Sequence, residues 1–122
     1  MWNLYRRFYS GTHRDLFDHD LAAKDSLLLL RDEADAIQGF STMAVGVTQF
    51  EGRTIRYVFS GDTIIGRDYW GTQALAFSWL RYVGELKREQ PQLPLFWFLI
   101  VKGHRTFRYL PTFAREFWPH WE

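Results

Sequence analysis

The fold is decided by residues 53–75, which read RTIRYVFSGDTIIGRDYWGTQAL. Residues 54–60 are rich in β-branched and aromatic side chains, which predicts a strand. The glycines and charges of residues 61–68 predict a loop, and a long amphipathic helix is predicted to begin after Gln73. A strand that runs through a turn into a helix gathers free backbone N–H groups and the positive end of a helix dipole in one place. That arrangement suits a phosphate or another anion.

The composition is that of a globular protein with one domain, residues 1–122. A hydrophobic content of 47% predicts a real core, and an aromatic content of 19% suits a core, a ligand pocket or a dimer face equally well. The net charge of +1 argues neither for nor against nucleic acid as a partner. The absence of cysteine excludes disulfides, thiolate catalysis and cysteine zinc sites.

The sequence predicts a soluble, cytoplasmic protein with no membrane partner. Residues 1–7 lack the apolar stretch of a signal peptide, and the apolar run at residues 93–101 is too short to span a bilayer as a helix. No metal site is expected, because the acidic residues and the histidine between Asp15 and Asp20 match no standard ligand spacing.

The remaining segments predict an ordered series of elements. Two helices are expected before residue 25, followed by strands at residues 26–30, 36–50 and 54–60 that form an antiparallel meander with a tight hairpin at Gly52. The unbroken apolar run at residues 95–101 predicts a central strand. Because a helix separates it from the third strand, these two strands are predicted to be parallel neighbours in a βαβ crossover.

This order of elements resembles the GNAT acyltransferase fold over nearly the whole chain. The resemblance centres on residues 57–62 followed by residues 69–75, and residues 37–41, IQGFS, are similar to a hairpin common in the family. It implies an α+β fold: a mixed sheet made of an antiparallel meander plus a βαβ crossover, with helices packed on both faces. The family's first and last strands have no counterpart in this sequence.

The resemblance also implies a cofactor, acetyl-CoA, whose pyrophosphate lies at the helix N-terminus. The implied cofactor-binding residues are Phe59, Ser60, Gly66, Arg67, Tyr69, Trp70, Gly71, Thr72, Gln73 and Arg105. The sequence departs from the family's loop pattern, with Asp68 in place of a basic or amide residue and Gln73 in place of a small one. A carboxylate near a pyrophosphate is unfavourable. The alternative interpretation is a plain connection between strand and helix, capped by Thr72.

Acyl transfer to an amine needs a base for the amine and an acid for the departing thiolate. Position within the resemblance makes Asp62, at the end of the central strand, the candidate base and Tyr109 the candidate acid. Both residues also have structural interpretations, since Asp62 suits a turn after Gly61 and Tyr109 suits a buried ring with a bonded hydroxyl.

Three functions follow from the sequence. The first is an N-acyltransferase that binds acetyl-CoA and acts on an amine acceptor of unknown identity. The second is a GNAT-fold protein without catalysis, which binds acyl-CoA, another ligand or a protein partner. The third, ranked last, is a nucleic-acid binder using Arg105, Arg108 and exposed aromatics. Open sheet edges and the aromatic surplus predict a homodimer.

Overall fold

A four-stranded sheet with helices on both sides forms the framework of the protein. The computed structural model describes residues 1–101 and 107–118. In chain order, the elements within this part are α1 (Trp2–Tyr5), α2 (Arg14–Ala22), β1 (Ser26–Arg31), β2 (Ile37–Phe50), β3 (Arg53–Ile65), a 3-10 turn (Arg67–Tyr69), α3 (Ala74–Glu89), β4 (Leu95–Leu99) and α4 (Tyr109–Phe113). None of these helices has the length and apolar character needed to cross a membrane.

The strands lie in the order β1-β2-β3-β4, as the predicted meander and crossover require. β1 pairs antiparallel with β2, and β2 pairs antiparallel with β3. The hairpin between β2 and β3 turns at Glu51 and Gly52, whose φ angles of 48° and 76° are both left-handed. Two successive positive φ angles make the tight hairpin turn whose twist matches that of the strands. β3 then pairs parallel with β4 through α3, which confirms the predicted βαβ crossover. The prediction of a central strand at residues 95–101 is wrong, because β4 ends at Leu99 and is the last strand of the described sheet.

Two apolar clusters hold the helices to opposite faces of the sheet. Successive side chains of a strand point to opposite faces, so Phe40 and Met43 of β2 belong to different clusters. On the face covered by α1 and α2, the buried residues are Leu4, Phe17, Phe40 and Ile64. On the face covered by α3, they are Met43, Val58 and Leu86. The predicted packing of helices on both faces is confirmed.

β3 is longer than the sequence predicted. Residues 61–65 were expected to belong to a loop, but they continue the strand, and Thr63 pairs with Ser41 of β2. The prediction was wrong because Gly61 and Asp62 are typical turn residues that here form a bulge. Ser60 lies opposite Met43 and Thr63 opposite Ser41, so two residues of β3 face one residue of β2.

Candidate functional site

β4 ends at Leu99 while β3 continues to Ile65, and the part of β3 beyond the end of β4 is the candidate site. Their parallel pairing runs from Arg56 opposite Leu95 to Ser60 opposite Leu99. β3 continues to Ile65 paired with β2 alone. Within residues 1–101 and 107–118 no strand occupies the other edge of residues 61–65. We call the space along this edge of β3, beyond the end of β4, the β3–β4 gap.

Backbone groups of β3 point into the β3–β4 gap. The N–H of Gly66 donates to the carbonyl of Gln38 over 2.7 Å. Because antiparallel strands alternate between residues that bond to the partner and residues that face away, the backbone groups of Thr63 and Ile65 point away from β2. This edge therefore presents N–H donors and C=O acceptors to whatever enters the gap.

An aromatic cleft runs along the same edge of β3. It has a volume of about 330 Å³ and is lined by Phe8, Tyr9, Thr63, Ile64, Ile65 and Trp70. Trp70 donates its indole Nε1–H to the carbonyl of Ile65 over 2.8 Å, while the residue as a whole is 59% exposed. Trp70 therefore satisfies one outward carbonyl of β3 and presents its ring to the cleft.

Residues 66–73 connect β3 to α3, and the N-terminus of α3 has no side-chain cap. Gly71 has a φ of +93°, a left-handed conformation that favours glycine. The N-cap of α3 is Gln73, and no side chain caps the helix. The interpretation in which Thr72 caps the helix is therefore wrong. The N–H groups of the first turn carry no side-chain cap, and an anion would satisfy them.

Comparison with solved structures identifies the fold of the chain, whereas the sequence comparisons find no match. No family model matches the sequence, and no curated protein matches it. A mutant of the BH1408 protein from Bacillus halodurans is similar with a TM-score of 0.67 at 13% identity, over 95% of this chain and 78% of that chain. A Trypanosoma brucei acetyltransferase is similar with a TM-score of 0.66 at 11% identity, over 93% and 82%. An aminoglycoside 6'-N-acetyltransferase from Acinetobacter baumannii gives 0.63 at 10% identity, over 93% and 80%.

The chain has the GNAT fold. The predicted fold class, an α+β fold with a mixed sheet, is confirmed by these neighbours together with the strand order. In this GNAT fold the parallel pairing ends at Ser60 and Leu99, beside the bulge of β3.

Ser60 serves the framework through its side chain. It is buried on the face covered by α3, where its hydroxyl oxygen accepts the indole N–H groups of Trp79 over 3.2 Å and Trp97 over 2.8 Å. The two indole rings are 4.5 Å apart between centroids. Ser60 therefore ties α3 and β4 to β3, and its side chain faces away from the face on which Phe59 lies.

Phe59 lies on the opposite face, next to the start of the β3–β4 gap. Its ring contacts Phe98 at a centroid distance of 5.7 Å. The Lys24 ammonium lies 5.6 Å from the Phe59 ring centroid, within cation–π distance. Lys24 follows α2, so this face of the GNAT fold brings an N-terminal cation to the end of the β3–β4 pairing.

Asp62 lies near two phenols of the N-terminal segment. Burial, and then the negative charge of Asp62, raise the pKa of Tyr9 above its usual value, and the pKa of Tyr5 is raised by the same two main causes. The two rings are stacked 4.6 Å apart. Both phenols therefore stay protonated at neutral pH. Sequence reasoning missed Tyr9 because more than fifty residues separate it from Asp62 and nothing local links them.

The other predicted site residues divide into two groups. Gly66, Arg67, Tyr69, Trp70, Gly71, Thr72 and Gln73 lie together between β3 and α3, with Arg67 and Asp68 both exposed. Arg105 lies outside the described residues, and Tyr109 begins α4 with a side chain that is also outside the description. In the described ranges, no group of three or more histidine, aspartate or glutamate side chains could hold a metal ion.

Proposed function

We propose that the protein is an N-acyltransferase that takes the acyl group from acetyl-CoA and transfers it to an amine. The observation that carries the proposal is the β3–β4 gap, whose exposed backbone edge leads directly to an uncapped helix N-terminus. Two of the three neighbours named above are acetyltransferases, and one of them acts on aminoglycosides. These likenesses support the same chemistry here.

The backbone of β3 would hold the pantetheine arm. Its two amides would pair with the outward N–H and C=O groups of Thr63 and with the N–H of Ile65, as an added strand does, while the Ile65 carbonyl stays bonded to Trp70. Trp70 would flank the arm through its exposed ring. The pyrophosphate would lie at the first turn of α3, where backbone N–H groups and the helix dipole favour negative charge. Arg67 would add a positive charge there and Asp68 an opposing negative one.

The reaction needs one proton acceptor and one proton donor. The amine nitrogen would attack the thioester carbonyl and form the amide bond while the carbon–sulfur bond breaks. The Asp62 carboxylate would accept the proton lost by the nitrogen. A phenol, which the resemblance assigns to Tyr109, would protonate the departing thiolate. The products would be an N-acyl amide and free CoA.

A second function is a GNAT-fold protein that binds acyl-CoA without turning it over. Asp68 and Gln73 favour it, because they stand where a basic or amide residue and a small residue would suit the pyrophosphate better. Binding is common to both functions, and turnover separates them. We also infer that the protein works as a homodimer, because in the described ranges β4 ends the sheet with one edge unpaired.

A calorimetric titration with acetyl-CoA tests the proposal. We expect saturable binding, because the strand edge offers partners to the pantetheine amides and the helix end offers N–H groups to the pyrophosphate. Asp18→Asn is a matched control: it removes a carboxylate that forms an exposed ion pair with Arg14 on α2, and it should leave binding unchanged. No heat of binding at millimolar acetyl-CoA would exclude both functions. Binding without turnover of any amine in a broad panel would leave the second.

A further inference from the structure

The outer edge of β4 carries a sequence that reads the same in both directions. Its five residues, Leu95, Phe96, Trp97, Phe98 and Leu99, spell LFWFL. β4 is the last strand of the sheet, and in the described part of the chain nothing pairs with its outer edge. Proteins protect such edges with charges, prolines or bulges, and LFWFL contains none of these.

The backbone groups that this edge offers follow from the pairing with β3. The N–H of Arg56 donates to the carbonyl of Pro94 over 2.9 Å, so Pro94 directs its carbonyl toward β3. In a parallel ladder alternate residues bond to the same neighbour, which makes Phe96 and Phe98 the next to face β3. Leu95, Trp97 and Leu99 therefore direct their N–H and C=O groups to the free edge.

Both faces of β4 are apolar up to that edge. Trp97 and Leu95 pack with Val58 and Leu86 beneath α3. On the other face Phe96 is 52% exposed and Phe98 57% exposed. A strand that is apolar on both faces is typical of the interior of a sheet, with strands on either side, and not of its edge.

We propose that a second copy of the chain completes this edge, with the two β4 strands antiparallel about Trp97. Trp97 then faces the partner's Trp97, Leu95 faces the partner's Leu99, and Phe96 faces the partner's Phe98. The palindrome gives every residue a partner of its own kind. The register also fits the backbone, because the three residues with outward groups fall on the hydrogen-bonded positions of the antiparallel pair.

The side chains at the non-hydrogen-bonded positions are the exposed phenylalanines. Side chains approach most closely at such positions, and aromatic pairs across strands stabilise a sheet by up to about 1 kcal/mol each. The two-fold axis creates two such pairs, Phe96 with the partner's Phe98 and its symmetry mate. The contact is the same patch on both copies, as a closed dimer requires.

The apolar surface available at this edge indicates a small interface. Phe96, Phe98 and Ile100 are each more than half exposed, and each offers about 100 Å² of apolar surface. Together with the strand backbones and flanking residues, the two copies approach the ~1,200 Å² at which specific interfaces begin. Interfaces at this lower limit of size are typical of transient contacts, so the dimer should dissociate reversibly. It leaves the β3–β4 gap open, since the gap lies beyond the end of β4 and the contact uses the outer edge of β4.

Sedimentation equilibrium without ligand tests the interface. The wild-type protein should shift from monomer to dimer with concentration, and Phe96→Lys should raise the dissociation constant at least tenfold by placing a charge against the partner's Phe98. Phe77→Lys is the control, because Phe77 is 64% exposed on α3 away from this edge, and it should leave the constant unchanged. A monomer at millimolar protein, or a dimer indifferent to Phe96→Lys, would overturn the proposal.

Introduced cysteines test the register, since the chain has none of its own. Phe96→Cys and Phe98→Cys are made as separate variants, mixed and oxidised. Opposed non-hydrogen-bonded positions bring Cβ atoms close enough for a disulfide, so the mixture should give a crosslinked heterodimer while each variant alone gives none. Crosslinking of either variant with itself, or no crosslinking of the mixture, would contradict the register. Neither experiment contains acetyl-CoA, so both are independent of the proposed catalysis.

Discussion

The two halves of β3 differ in how many neighbours they have. Up to Ser60 the strand lies between β2 and β4, and its buried side chains, Val58 and Ser60, hold the framework. After the bulge at Gly61 and Asp62 it keeps β2 and loses β4. In the first half of β3 the backbone groups therefore bond within the sheet. In the second half, part of the backbone groups face the β3–β4 gap.

The bulge separates the part of β3 that stabilises the fold from the part that contributes to the candidate site. Two residues fill the space of one there, which re-aims the side chains that follow. The negative charge of Asp62 raises the pKa of Tyr5 and Tyr9, which lie on the face covered by α1 and α2. A substitution before Asp62 should therefore change stability, and one at or after Asp62 should change binding or turnover.

The largest effect is expected from Asp62→Asn, which removes the proposed base. Turnover should fall by about 10²–10⁴-fold, the range that general bases contribute. Acetyl-CoA affinity should stay near that of the wild type, because Asp62 is assigned to the proton and not to the cofactor. Steady-state kinetics with an amine that the wild type accepts, together with calorimetry, measures both. Equal turnover by the variant would remove Asp62 from the mechanism.

A spectrophotometric titration of the tyrosines checks the position of Asp62 without any substrate. The negative charge of Asp62 contributes to the raised pKa of Tyr9, so Asp62→Asn should lower that pKa toward the ordinary value of 10.0. Because the pKa of Tyr9 is raised in the folded protein, its contribution to stability is present below pH 10 and is lost as the pH rises through the folded pKa. The variant should lose less stability across that interval.

In the first half of β3, Ser60→Ala should lower the free energy of unfolding by about 2–4 kcal/mol. The change leaves the indole N–H groups of Trp79 and Trp97 without their acceptor, and a buried donor without a partner costs about 1–3 kcal/mol. Urea unfolding measures the change. Ser78→Ala, an exposed serine of α3, should be neutral or slightly stabilising. Equal stability of Ser60→Ala and the wild type would mean that the indoles find other acceptors.

At the bulge, Gly61→Ala should cost about 1–3 kcal/mol of stability, because the new Cβ would overlap the Thr42 side chain. Gly84→Ala is a control that should increase stability. Nothing lies within 4 Å of the new methyl group on α3, and alanine stabilises a helix by about 0.5–1 kcal/mol relative to glycine. Combining Gly61→Ala with Thr42→Ala should recover part of the loss. No recovery would show that the overlap is not the cause.

The same comparison explains what the sequence could and could not predict. The strands, the crossover and the two-sided packing follow from apolar runs and turn residues, which act locally. The extension of β3 could not be predicted, because Gly61 and Asp62 have turn chemistry and only pairing with β2 makes them a bulge. The proximity of Tyr9 to Asp62 is likewise set by tertiary packing. Residues 66–73 form one connection between β3 and α3, as their order in the sequence requires, and their role in binding stays a prediction.

The smallest effect is expected just after β3, from Asp68→Asn in the 3-10 turn. Removing a negative charge near the proposed pyrophosphate position should tighten acetyl-CoA binding by about two- to fivefold, in keeping with the 0.3–1 kcal/mol of charges at exposed helix ends. The gain should shrink at high salt, since screening weakens exposed charges. A thioester of pantetheine that lacks phosphates should bind the variant and the wild type equally. If that phosphate-free thioester also gained affinity, Asp68 would act on the strand edge and not on the helix end, and the division of the cofactor between β3 and α3 would be wrong.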